Sequence, residues 1–156
     1  MTASWPTSVI IGVLRVDWAI PCLHLEQQPN GLLALRDACF NRLGVQELPT
    51  ELRFIVALRL AGQPEDFFED SQRALRAHLL DPNMEEIINM EFEAPVVSDP
   101  PENHPAGWEV ALTYPVVVNF QATEVGSYSI DFYVNDRFQA GTSVALWVAI
   151  DPPATS

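Results

Sequence analysis

Three histidines and two cysteines are the side chains of this chain best suited to metal binding or nucleophilic chemistry, and their spacing favours neither. His24, His78 and His104 are widely separated, with no Cys-x-x-Cys or His-x-x-x-His pair to place two ligands on one element. Cys22 and Cys39 stand in no nucleophile signature, and Gly-x-Ser-x-Gly is absent. An enzyme built from His24, His78 or His104 and nearby acids would have to be assembled by folding alone, and it is held as one alternative. Carboxylates cluster at Glu65, Asp66, Glu69 and Asp70 and again at Asp99 and Glu102. A hard cation needs several oxygens converging at about 2.3–2.6 Å, usually from alternating Asp positions, and no such run is present. Calcium or a sugar bound by end loops is therefore the other alternative. Phosphate cradles are excluded more simply, since the chain has neither a Gly-rich loop nor any Lys. Paired carboxylates of the glycosidase type carry no signal where acids are this abundant. No cofactor, catalytic residue or resident metal is predicted.

The charge balance narrows the partners. Twenty-one acidic residues face eight basic ones, all Arg, for a formal charge of −13. Such a surface repels phosphate backbones and anionic lipid, so neither nucleic acid nor membrane is expected as a partner. The N-terminus has no basic region, and the apolar run from Val9 to Leu14 stops at Arg15 and Asp17, too short for a signal peptide or a membrane span. A cytoplasmic location is the expectation. At 156 residues the chain fits one domain, with an N-terminal arm over 1–8 and a tail over 151–156.

The elements that must position these residues are strands. From Trp108 to Phe120 every even position is apolar or aromatic, the period of a long half-buried strand. A first strand lies within Val9 to Leu25, with Pro21 as a bend or edge residue, and a second covers about Leu32 to Phe40. Between them Gln28-Pro29-Asn30-Gly31 marks a hairpin; Pro29 favours a three-residue loop, which sets Leu25 opposite Leu35 and puts the two Cys on opposite faces as reduced thiols. Residues 41–50 read as loop, and Leu52 to Leu60 alternate as a third strand. Gly62 to about Gln72 reads as loop or one helical turn, followed by a short strand to Asp81, a turn at Asp81-Pro82-Asn83, and a strand carrying Ile88, Met90 and Phe92. Pro95, Pro100, Pro101 and Pro105 make 94–107 a long acidic loop. Tyr128 to Val134 and about Phe138 to Ile150 close the set, joined by a three-residue loop Asn135-Asp136-Arg137 that places Val134 over Phe138. About eight strands without a strong helix predict an all-β, antiparallel β-sandwich.

Glu124-Val-Gly126-Ser-Tyr128-Ser-Ile130 resembles the tyrosine-corner entry of immunoglobulin-like Greek-key sandwiches, without the antibody-type bridge, since Ile130 stands where a Cys would be. More broadly, Asn30-Gly31-Leu-Leu, Leu48-Pro49, Leu79-Leu80-Asp81-Pro82 and Gly126-Ser-Tyr128 resemble in order a family of bacterial β-sandwich proteins catalogued as a domain of unknown function. That resemblance implies a fold and a bacterial or phage source, and carries over no catalytic residue.

What remains is apolar material at outward positions. If the even residues of the C-terminal strands face the core, Val117, Tyr133 and Trp147 point outward, and Trp5 lies in the N-terminal arm. Phe67 and Phe68 within the loop 63–70 imply that it packs down or meets a partner. The expectation is a non-enzymatic module that binds itself or a protein partner through exposed aromatics, loops or an edge strand, with Phe67, Phe68, Trp108, Tyr133 and Trp147 as candidate anchors.

Overall fold

The computed structural model describes residues 13–29, 33–97 and 104–151. Trp5, Asn30, Gly31, Asp99, Glu102 and the tail beyond residue 151 lie outside the described residues. The described chain is all-β and mostly antiparallel, with strands β1 (Arg15–Gln27), β2 (Leu33–Ala38), β3 (Arg42–Val45), β4 (Thr50–Gly62), β5 (Ala74–Leu80), β6 (Glu86–Glu93), β7 (Val110–Ala122), β8 (Gly126–Val134), β9 (Arg137–Phe138) and β10 (Val144–Ile150). Its one helical piece is a 3₁₀ turn over Pro64–Phe67. No helix among the described residues is long and apolar enough to cross a membrane.

Two sheets share one core. The first has the order β2-β1-β4-β7 and the second β3-β10-β8-β5-β6, with β9 hanging on β8. Period-two patterning decides which side of each sheet turns inward: Phe54, Val56, Leu58 and Leu60 of β4 and Val116, Val118 and Phe120 of β7 are buried against Leu75, Ala77 and Leu79 of β5 and Tyr128, Ile130, Phe132 and Val134 of β8. Rings bridge the layers at two places, Phe120 with Tyr128 at 5.3 Å and Phe92 stacked on Tyr114 at 5.2 Å. The Tyr128 hydroxyl donates to the carbonyl of Glu124 at 2.8 Å, so its polar end is satisfied inside the core. A Cβ on Gly126, whose φ is +145°, would stand 2.7 Å from the Pro82 ring, and the close approach of that turn requires the glycine.

The spine strand and the first hairpin register follow the sequence pattern: Leu25 lies opposite Leu35, Cys22 is buried, and Cys39 is exposed and unbridged. Burial of Cys22, with a smaller effect of Cys39, pushes its thiol above the usual range. Four sequence expectations need correction. Residues 41–50 contain β3, four residues paired in parallel with β10, a partner more than a hundred residues away that no local pattern announces. Trp108 precedes β7 and takes no place in the strand. The tip of the β8–β9 hairpin has two residues, Asn135 and Asp136, both at positive φ, and pairs Val134 with Arg137. The final strand is broken, resuming at Val144 opposite Ile130 after a turn at Gly141. Two left-handed residues match the strand twist better than the three-residue alternative, and Asn135 adds side-chain bonds to Ala74 N (2.9 Å) and Gln72 O (3.0 Å).

Candidate interaction surfaces

The acidic loop is built around an arginine. Arg73 lies beneath it at 8 % exposure and donates to the carbonyls of Phe68 (3.0 Å), Glu69 (3.4 Å) and Ala94. Its guanidinium therefore satisfies these backbone oxygens and ties the loop to the end of β6. Asp66 turns back to accept from the Gln63 amide at 2.7 Å, capping the 3₁₀ turn, and burial leads the effects that raise its carboxyl above the ordinary range. Phe67 is fully buried, so it belongs to the core and is withdrawn as an exposed anchor. Phe68 next to it remains exposed. Among the described residues no three His, Cys, Asp or Glu side chains converge to hold a metal ion. His24 sits on β1 of one sheet, His78 on β5 of the other, and His104 in the loop before β7, where its Nε2 lies 2.7 Å from the Trp108 carbonyl.

The outer face of the second sheet carries a polar and aromatic cluster. Arg76 lies 4.7 Å from the Tyr133 ring centre and 3.1 Å from Asp136, while His78 Nδ1 is 3.2 Å from Glu86 and its ring 5.0 Å from Tyr133. Arg76 Nε and His78 Nε2 are buried without a hydrogen-bond partner among the described residues. A shallow hollow of about 360 Å³ opens beside them between Leu75, Phe92 and Asp136. Trp147, 48 % exposed, lies on the same face opposite Ser127, and Ser127 and Tyr133 are separated along β8 by roughly 20 Å. The two aromatic anchors are thus on one face and in different places.

The first sheet's outer face mixes apolar side chains with Arg53, Arg59, Asn119 and Gln121. A bulge between Val16 and Trp18 shifts the β1 register, which explains the poor alternation of that strand in the sequence. The bulged Asp17 accepts from Arg15 Nε (3.0 Å) and lies 3.4 Å from Arg59 Nε, and Arg15 also donates to Glu109, at 2.8 Å through Nη2. That bond to Glu109 is the main effect holding the Arg15 guanidinium protonated beyond its usual range. Trp18 and Ile20 are then set beside Arg59 and Ala57 on the outside. Together with Leu25, Leu35 and Pro115 they line a groove of about 650 Å³. Val117, 48 % exposed, continues this face, and Trp108, 67 % exposed, stands before the start of β7. Sequence reading found Val117 and Trp108 and missed Trp18 and Ile20, whose phase the bulge hides; it set Leu25 opposite Leu35 without placing them in a groove.

The four sheet edges differ in kind. β3 has four residues and is clipped down by Arg42, which donates to Asp151 through both terminal nitrogens, at 2.9 Å for Nη1. β2 has six residues and carries Arg36 and a left-handed Asp37 just before its last residue, Ala38. β6 bears Glu86, Glu91 and Glu93. β7 has thirteen residues and no charged side chain, and among the described residues nothing pairs with its outer edge.

A family model described as a family of unknown function, DUF6941, matches residues 17–146, so the chain belongs to that family. No curated protein matches the chain.

Proposed function

We propose that this member of the family is a non-enzymatic protein-interaction module built on a β-sandwich. The Tyr128 to Glu124 bond supports an immunoglobulin-like form of that sandwich, since it is the hydrogen bond of a tyrosine corner. The reading rests on one observation: a groove of about 650 Å³ on the first sheet is lined largely by Trp18, Ile20, Leu25, Leu35 and Pro115, with the neutral polar Gln27 and Thr113 beside them and only Arg59 charged, that charge already facing Asp17. A site of this composition suits apolar side chains of a protein and offers no activated nucleophile or acid–base pair. With a formal charge of −13, the chain favours a basic or neutral partner over an acidic one. The test is to pan a displayed peptide library against the immobilised full chain. Enriched peptides are expected to be apolar and basic, and to lose binding to Ile20→Glu and Leu35→Glu variants that keep their wild-type circular dichroism. Peptides that bind the variants as well as the wild type would overturn the assignment.

A further inference from the structure

We propose that the outer half of the β1–β2 hairpin, residues 23–27 with 33–37, is a hinged flap that covers the groove of the first sheet and lifts to admit a partner's segment. The inference rests on the groove being the partner's site, and it names how that site is regulated. β1 pairs with β4 only from Arg15 to Cys22. Past Cys22 it pairs with β2 alone among the described residues, and β2 has no other neighbour there. A two-stranded ribbon is marginal in water and twists strongly, so its position depends on what its apolar side packs against. Leu25, Leu33 and Leu35 on that side are half-buried, while His24, Glu26 and Arg36 on the other are exposed.

Register shows where the ribbon goes. Had β1 run on straight, Leu25 would stand level with Leu52 of β4 and so with Phe120 of β7, past Pro115 by roughly 17 Å. Instead Leu25, Leu33 and Leu35 line one groove with Ala111, Thr113 and Pro115, so the ribbon folds back over the outer side of the sheet. The phase of β1 reverses accordingly: Trp18 and Ile20 face the groove at even positions, Leu25 and Gln27 at odd ones. Beneath it Ala57, between Ile20 and Pro115, is fully buried. The bend falls at one level of both strands. There Pro21 of β1 accepts a hydrogen bond from the Cys39 amide at 2.8 Å, and Asp37 and Cys39 on the returning strand hold left-handed φ values of 52° and 62°. Non-glycine residues in that region are strained, and such positions cluster where a segment switches between two arrangements. Closed, the leucines of the ribbon lie over Trp18 and Ile20; lifted, the hinge strain is released and the same surfaces are free for apolar side chains of a partner.

The experiment is hydroxyl-radical footprinting of the full chain, which reads the oxidation rate of Trp18 in the groove against that of Trp147 on the other sheet, in wild type and Cys39→Val. Valine is β-branched and resists the left-handed region, so the substitution loosens the hinge at an exposed position outside the groove. Trp18 oxidation is expected to rise about fivefold with Trp147 unchanged, the factor that ~1 kcal/mol gives. Should Cys39→Val fail to fold, wild type in urea below its unfolding midpoint takes its place, with Trp18 expected to become reactive while Trp147 and the far-UV circular dichroism hold. Admission is read with N-phenylnaphthylamine, a neutral apolar dye, expected to bind Cys39→Val about fivefold tighter than wild type and to lose that gain when Ile20→Glu is added. Trp18 oxidation that keeps step with Trp147, or equal dye affinity for wild type and Cys39→Val, would overturn the flap. Dye and peptide binding indifferent to Ile20→Glu would overturn the groove reading instead, with the motion of the ribbon still decided by Trp18 oxidation, which needs no ligand.

Discussion

β6 and β7 lie on the same side of the molecule, in opposite layers, joined by the stack of Phe92 on Tyr114. Among the described residues both are edge strands, and both turn every second side chain into the core. They differ in what their other side chains are. On β6 the outward positions include Asn89, Glu91 and Glu93, opposite His78, Arg76 and Ala74 of β5, so the strand is solvated and its charges turn other strands away. On β7 they are Ala111, Thr113, Pro115, Val117, Asn119 and Gln121. The same backbone state thus carries charge at its outward positions in one layer and none in the other, and the difference lies in side-chain chemistry rather than in strand geometry.

The largest expected effect comes from removing what anchors the end of β6. Arg73→Met leaves the carbonyls of Phe68 and Ala94 without their donor and should lower unfolding free energy by about 3 kcal/mol, read by urea denaturation. The loop 63–73 and the end of β6 should lose amide protection before β7 does. Next in size is the removal of the contrast: Glu91→Val with Glu93→Val strips the charge from the β6 edge and should produce concentration-dependent association stronger than that of the wild type, visible as a rise in scattered light while melting stays within a few degrees.

Two smaller effects check that the remaining edges behave as described. Asp151 is held below the ordinary carboxylate range by its hydrogen bonds from Arg42. The unfolded chain therefore takes up that proton at higher pH than the folded one. The contribution of the pair is complete above the ordinary range and is lost as pH falls through the depressed folded value. Exchange of β10 amides facing β3 should rise over that acid interval while β8 is unaffected. Finally, thiol labelling of the native protein should modify the exposed Cys39 and spare Cys22, whose thiol is buried and raised; equal labelling of both would mean that β1 and β2 part readily.

Much of the fold was legible because a strand's inward face repeats every second residue, a local pattern. Leu52 to Leu60, the β5 and β6 alternations and the even positions of β7 all landed in the core or against it. The candidate site was less legible. The bulge at Asp17 shifts the phase of β1, so Trp18 and Ile20 gave no readable stripe, and Arg73 looks in sequence like any surface arginine. Phe67 and Phe68 are neighbours of one type, and only their packing separates a core residue from an exposed one.

The sequence by itself determined an all-β chain, the phases of β4 to β8 and the missing charges of Val110–Ala122. Tertiary structure alone decided that β3 pairs with β10, that Arg73 supports the acidic loop, and that β7 lies at an edge among the described residues. The physical reason is range. Alternation and charge belong to residues near each other in the chain, while an edge is defined by which distant strand is absent beside it.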